Sequence, residues 1–443
     1  MKKALPLLLG CLGATGLFEL FFHYDWDSGV VRGALVAALL GLVLAARALR
    51  PPVSAWPRWL LVLASVGAAF LLYWHFKEGL ISTVRQRRSE MGDIHVRAVK
   101  LLTKGVTPWA FGTVLESSAL RFLLLAPEVV ACRTTSVTPS EDVQRELWES
   151  DRRGDELFPE RIAEPGCEQA RKILAVVGYR YGPVMLASYV PLVLLVGRGG
   201  EYLTHLLFLL AILGAMVVLL RPLPKEALVM ACVILLGQSV LRRDTLLDSD
   251  CDLIPTALMM WALVAFEKGR SGTAGALTAL TLAAKVFPAA FLLPLLLSPS
   301  PPQGRGSGRG AETVRALAAF ALVSLLTWGP VLALDGVGVW DNVFRFNVDR
   351  AGDSTALAFY LPGAVMTVLR LLIAGGCAFA FWKLVVKRFE PTAFVALCMG
   401  AFFLFTKVFH NNYVVWWLPV VGVTLARALS RGPGEEDYSR TSR

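Results

Sequence analysis

The chain has 443 residues, of which 55% are hydrophobic and 18% charged, with a formal net charge of +10. A mean hydropathy of +0.57 and apolar runs that recur from end to end exclude a disordered chain and a water-soluble globular one. The excess charge does not signal nucleic acid. It sits in short basic clusters between apolar runs (Lys2 and Lys3, then Arg47, Arg50 and Arg58, later Lys268 and Arg270, Arg305 to Arg315, Lys383 to Arg388, Arg427 and Arg431), the pattern of loops retained on the cytoplasmic side of a membrane.

A bilayer core of roughly 30 Å asks for about twenty apolar residues per helix, each satisfying its own backbone. Leu5–Phe22, Gly33–Leu49 and Trp59–Phe76 read as the first three spans. The opening MKKALPLLLGCLG resembles a signal peptide, but the apolar stretch runs past Cys11 without a cleavage site, which predicts a retained helix. With the N-terminus inside, these spans deliver the polar stretch Lys77–Tyr179 to the outer side. Within it, Asp93–Lys104 places Ile94, Ala98, Leu101 and Leu102 on one helical face and Arg97, Lys100 and Lys104 on the other. That pattern predicts a helix lying along the membrane surface. The charged remainder, Cys132–Ala170, reads as a surface excursion, and an oxidising compartment would allow Cys132 and Cys167 to pair. Spacing alone does not fix that pairing.

Pro183–Val196, Leu203–Leu220, Ala227–Gly237, Leu253–Phe266, Thr273–Leu297, Ala316–Leu334, Leu361–Leu384, Phe394–Phe405 and Tyr413–Ala426 bring the count to about a dozen. Between Pro183 and Asp252 the segments do not alternate consistently across the bilayer, so one of them is expected to be broken or to cross incompletely. Glu267–Gly272 and Ser298–Gly310 read as inner loops, which makes the apolar stretch between them a hairpin with Lys285 and Pro288 at its outer tip. One long kinked span with Lys285 near the midplane is the alternative. Asp335–Ala356 and Thr406–Asn412 read as outer segments. The expected architecture is an all-α integral membrane protein: N-terminal helices over 1–76, an extracytoplasmic loop with a surface amphipathic helix over 77–180, a transmembrane core over 181–430, and a disordered polar tail over 431–443 on the cytoplasmic side.

Polar clusters fall at the outer ends of these helices: Asp25 and Asp27, Asp93, Tyr179-Arg180-Tyr181, Asp248-Asp250-Asp252, Lys285, Asn347-Asp349-Arg350, and Lys407 with His410-Asn411-Asn412. Acids and cations gathered on one membrane face suit a lipid that carries a phosphate, with the cations holding the phosphate and a carboxylate beside it. Plainer readings stand next to this one. Asp25 and Asp27 fit a solvated turn, and Asp93 fits a helix N-terminal acid favoured by the dipole. Asp248, Asp250 and Asp252 fit a charged loop as well as a hard-metal site, and Trp261, Trp328, Trp416 and Trp417 fit an interface belt or packing. Of the seven cysteines, Cys11, Cys232, Cys377 and Cys398 lie in apolar runs and read as small buried hydrophobes. No GxGxxG, P-loop, paired CxxC or HExxH motif is present.

Five stretches, in order, resemble the GT-C superfamily of polytopic glycosyltransferases, and within it glycosyltransferase family 87. They are GDIHVRAVKLLTKGVTPW from Gly92, YRYGPVMLASYVPLVLL from Tyr179, the long run from Asp250 through AAKVFP to Leu297, FRFNVDRAGDSTALA from Phe344, and TKVFHNNYVVWWLP from Thr406. The chain departs from the family pattern at Arg97, where an aromatic is usual, and at His410-Asn411-Asn412. The resemblance implies transfer of a mannose-like hexose or a pentose from a polyprenyl-phosphate donor to an envelope lipid or glycan acceptor. It places the site on the outer face of a bacterial inner membrane. It implies Asp93 as the base, Lys285, Arg350 and Lys407 as donor-phosphate ligands, and Tyr181, Asp252, His410, Asn412 and Tyr413 as sugar or lipid contacts. No cofactor is required by that chemistry, although a divalent metal is compatible with the Asp248–Asp252 cluster. The rival reading from another class is a transporter or flippase of a lipid-linked or anionic solute.

Overall fold

A computed structural model describes residues 58–85, 90–103, 108–109, 179–238, 241, 251–298, 309–345, 356, 360–385, 390–406 and 413–430, with 37 and 41. Every regular element among them is helical. In chain order these are α1 (Arg58–Val84), α2 (Glu90–Thr103), α3 (Pro183–Val196), a 3-10 turn (Gly197–Gly199), α4 (Gly200–Leu220), α5 (Lys225–Leu236) and α6 (Leu253–Glu267). There follow α7 (Ser271–Ala284), α8 (Val286–Ala290), α9 (Leu293–Leu297), α10 (Arg309–Val339), a π-helical turn (Trp340–Arg345), α11 (Gly363–Val385), α12 (Pro391–Phe405) and α13 (Val414–Ser430). The predicted spans Leu5–Phe22 and Gly33–Leu49 (37 and 41 apart), the Cys132–Cys167 pair and the C-terminal tail lie outside the described residues.

Two compact units divide the chain. The first takes Met1–Ile81, His205–Ser324 and Ala351–Arg443, the second Ser82–Thr204 and Leu325–Arg350. The first unit is built on α6 packed against α7 and on α13 packed against α5 and α12. Its core holds Leu235, Met259, Met260, Leu263, Trp417 and Val420. Gly422 lets α13 approach the backbone of Ala231 in α5.

The α6–α7 hairpin is closed by local chemistry. Gly269 takes a positive φ of 65°, Arg270 N donates to Ala265 O at 2.9 Å and Gly269 N to Phe266 O at 3.0 Å. This pair of bonds satisfies the carbonyls orphaned at the end of α6 and reverses the chain. At the same end of the unit, Arg427 near the end of α13 makes a forked pair with Glu267 at 2.6 and 2.7 Å. The same guanidinium donates to Leu219 O at 2.8 Å and to Thr392 Oγ1 at 3.4 Å. The ends of α4, α6 and α13 and the start of α12 therefore share one side. α3 is fourteen residues long, about 21 Å, and α5 is twelve. α3 stops at Gly197 with φ 76° and ψ −145°.

Three details refine the expected architecture. The apolar stretch after Lys285 is two short helices, because Pro288 and Pro294 remove amides that one continuous helix would use. At Asp335, where the outer segment was expected to begin, α10 leaves helical geometry with φ −155° and ψ 65°, and the Asp335 Oδ1 accepts from Gly338 N at 3.0 Å. In α2 the buried set is wider than the expected stripe. His95, Val96 and Val99 are buried with Ile94 and Ala98, whereas Leu102 is exposed. The cover comes from α3, which packs against α2.

Among the described residues, three stretches, Pro183–Leu220, Gly310–Gly336 and Gly363–Val385, are long and apolar enough to cross a membrane, and four shorter apolar helices accompany them. Leu322, Leu325, Leu326 and Leu334 of α10 and Leu371, Leu372 and Phe379 of α11 stand exposed. Apolar faces of that extent belong against lipid rather than water, so this is a membrane protein.

Candidate active site

Asp252 immediately precedes α6 and is wholly buried. Its carbonyl takes the Thr256 hydroxyl and amide, which fixes the first turn. Because the hairpin brings the end of α7 back beside the start of α6, Lys285 reaches this acid. Its Nζ lies 2.6 Å from Asp252 Oδ1. Lys285 itself is extended, φ −152° and ψ 130°, where α7 ends and α8 begins. The indole Nε1 of Trp416 donates to the same Oδ1 at 2.5 Å. Tyr413 stacks on Trp416 with ring centroids 4.6 Å apart. The Lys285 ammonium lies 5.0 Å from the first ring and 4.8 Å from the second.

This arrangement holds one cation in a charge-assisted bond and against two electron-rich faces. Lys285 keeps 14% of its side chain exposed while Asp252 keeps none. A fixed ammonium flanked by aromatics, on a side chain that is not wholly enclosed, is suited to an anionic group attached to an apolar or sugar moiety.

A second cluster belongs to the other unit. His95 of α2 stacks on Tyr189 of α3, with ring centroids 4.2 Å apart, and lies 5.2 Å from the Tyr181 ring. Its Nδ1 is 3.0 Å from the Tyr179 hydroxyl. Trp109 Nε1 donates to Tyr181 O at 2.8 Å, and Tyr179 N to Pro108 O at 3.0 Å. These bonds tie the helix that carries Asp93 to the Tyr179–Tyr181 segment.

Of the predicted site residues, Asp252, Lys285 and Tyr413 come together, and Tyr181 stands in the second cluster. Asp93 lies in the first turn of α2, but its side chain is outside what is described, as are Arg350, Lys407, His410 and Asn412. Among the described residues no three His, Cys, Asp or Glu side chains gather as a metal site, and Asp248 and Asp250 fall outside them. Sequence reasoning treated Trp416 as belt or packing, although a buried indole N–H three residues after Tyr413 requires an acceptor. It passed over His95, a neutral-looking residue in a segment read for its charges.

The model of glycosyltransferase family 87 matches residues 179–409, just over half of the chain. The chain belongs to glycosyltransferase family 87. Comparison with curated proteins and with solved structures gave no match. Asp252 and Lys285 lie inside the stretch that defines this family 87 member, while Asp93, Tyr413 and Trp416 lie beyond its two ends. The protein is thus a membrane glycosyltransferase.

Proposed function

We propose that this family 87 member transfers a mannose-like hexose or a pentose from a polyprenyl-phosphate donor to an envelope lipid or glycan acceptor, at the outer face of a bacterial inner membrane. Family membership carries the reaction class, and the Lys285 cation, on a side chain that keeps some exposure, supports an anionic donor. In this reading the acceptor hydroxyl oxygen attacks the anomeric carbon, and the bond from that carbon to the phosphate oxygen breaks. The electron pair leaves with polyprenyl phosphate, and the acceptor proton passes to Asp93. A single displacement of this kind inverts the anomeric centre.

Phosphate is already a good leaving group, so the protein's task on that side is electrostatic. Lys285 is the proposed ligand, with Arg350 and Lys407 as further cations. Asp252 is proposed to hold Lys285 charged and fixed beside the sugar. Tyr181, Tyr413, His410 and Asn412 are proposed to line the sugar or the lipid.

The test uses the full chain in lipid, given radiolabelled polyprenyl-phosphate sugars and an envelope lipid extract, with Asp93→Asn beside it. Transfer or slow donor hydrolysis is expected, lost by a factor of about a hundred or more in a folded Asp93→Asn protein. Turnover that persists in Asp93→Asn would remove the base from Asp93.

A further inference from the structure

The first turn of α4 carries an acid, Glu201, that is wholly buried. A buried carboxylate is costly unless its surroundings compensate, and the transfer step above does not use it. Its place is distinctive. A Cβ built on Gly92 would fall onto both oxygens of the Glu201 carboxylate, so the acid fills the space that a side chain at 92 would need. Gly92 stands in the first turn of α2, where backbone amides lack partners within the helix and the dipole favours an anion.

The residues just before Glu201 grip the same corner. A Cβ on Gly199 would meet the carbonyl oxygen of Thr83, near the end of α1. A Cβ on Gly200 would meet the Leu192 carbonyl, and Gly197 holds a positive φ. The segment from Gly197 to Glu201 therefore touches the chain on both sides of the α1–α2 connection, at Thr83 before it and at Gly92 after it. Asp93 is the residue that follows Gly92.

We propose that Glu201 is a positioning residue for Asp93: its carboxylate, seated against Gly92, fixes the turn of α2 that carries the base. This rests on the reading of Asp93 as base. Gly92 is glycine because the carboxylate occupies the Cβ position. The acid is buried because its partner is the start of a helix rather than substrate.

The experiment measures kcat, the donor KM and backbone hydrogen exchange for the full chain in lipid nanodiscs. The variants are Glu201→Gln, Glu201→Ala, Gly92→Ala and the double Gly92→Ala/Glu201→Ala. Displacing a base by a fraction of its working distance lowers turnover more than binding. Glu201→Ala is accordingly expected to lower kcat about tenfold or more with donor KM within about twofold. Glu201→Gln, which keeps the shape, loses less. Gly92→Ala falls as far as Glu201→Ala. The double variant is no worse than either single one, because the clash at 92 disappears with the carboxylate. Exchange of α2 amides quickens in Glu201→Ala while that of α6 does not.

Unchanged kcat and unchanged α2 exchange in Glu201→Ala would overturn the proposal, as would losses at 92 and 201 that simply multiply. If Glu201→Ala fails to fold, Glu201→Gln and Gly92→Ala carry the same comparison. A wild-type protein without turnover would refute the transferase reading instead, and quickened α2 exchange would then still decide whether Glu201 holds that turn.

Discussion

Lys285 and Asp252 meet across thirty-three residues of chain because α6 and α7 are nearly equal in length, fifteen and fourteen residues, and the turn between them is tight. The pair is enclosed enough that its members cannot be removed singly without cost. Lys285→Met is expected to lower stability by about 3–5 kcal/mol, because it strands a buried carboxylate. The double variant Asp252→Asn/Lys285→Met should recover part of that loss while donor turnover stays absent in both. Thermal unfolding in detergent, read beside the transfer assay, checks both halves. Equal unfolding of the single and double variants would mean that the two residues do not depend on each other. Each residue was legible in the sequence as a polar group at a helix end. Their pairing was not, since it depends on the register in which α6 and α7 pack, which the position of the turn at Glu267–Gly272 alone does not set. Trp416 escaped for a similar reason: an indole in an apolar run looks like packing until its N–H needs an acceptor.

At the scale of elements, apolar runs located the helices of the first unit well, because a segment of that composition has few alternatives to helix in a bilayer. Their interruptions were harder to see. Pro288 was legible as a bend beside Lys285, whereas the second break at Pro294 sits in an apolar run that a hydropathy window does not interrupt. The end of the apolar run marked Asp335, and there an aspartate at a kink caps the helix that follows it. The α2 stripe was assigned by its cations, and the true buried side was set by α3. Close helix contacts are also silent in a sequence. Gly275 of α7 gives up its Cβ space to the backbone carbonyl of Ala316 in α10. Because that neighbour is backbone, Gly275→Val must separate the two helices, and a loss of about 1–3 kcal/mol is expected. Unfolding in detergent measures it. A variant as stable as wild type would show that α7 and α10 do not rely on this approach.

For the molecule as a whole, composition alone placed the protein in a membrane, and the exposed faces of α10 and α11 agree with that placement. Charge served two purposes at once. Arg427 belongs to the basic clusters between apolar runs, and it also binds Glu267 and the Leu219 carbonyl, joining three helix ends. Family membership gives the reaction class, while the donor follows from chemistry proposed for Lys285 and Asp93. The measurement that tests this most directly follows donor breakdown by phosphorus NMR. The full chain would be reconstituted in lipid and offered a polyprenyl-phosphate sugar or, separately, a nucleotide sugar, each with an envelope lipid acceptor. The account predicts release of polyprenyl phosphate in step with sugar transfer, and no reaction with the nucleotide sugar. Turnover of the nucleotide sugar alone, or passage of the intact lipid donor across the bilayer without bond cleavage, would contradict it.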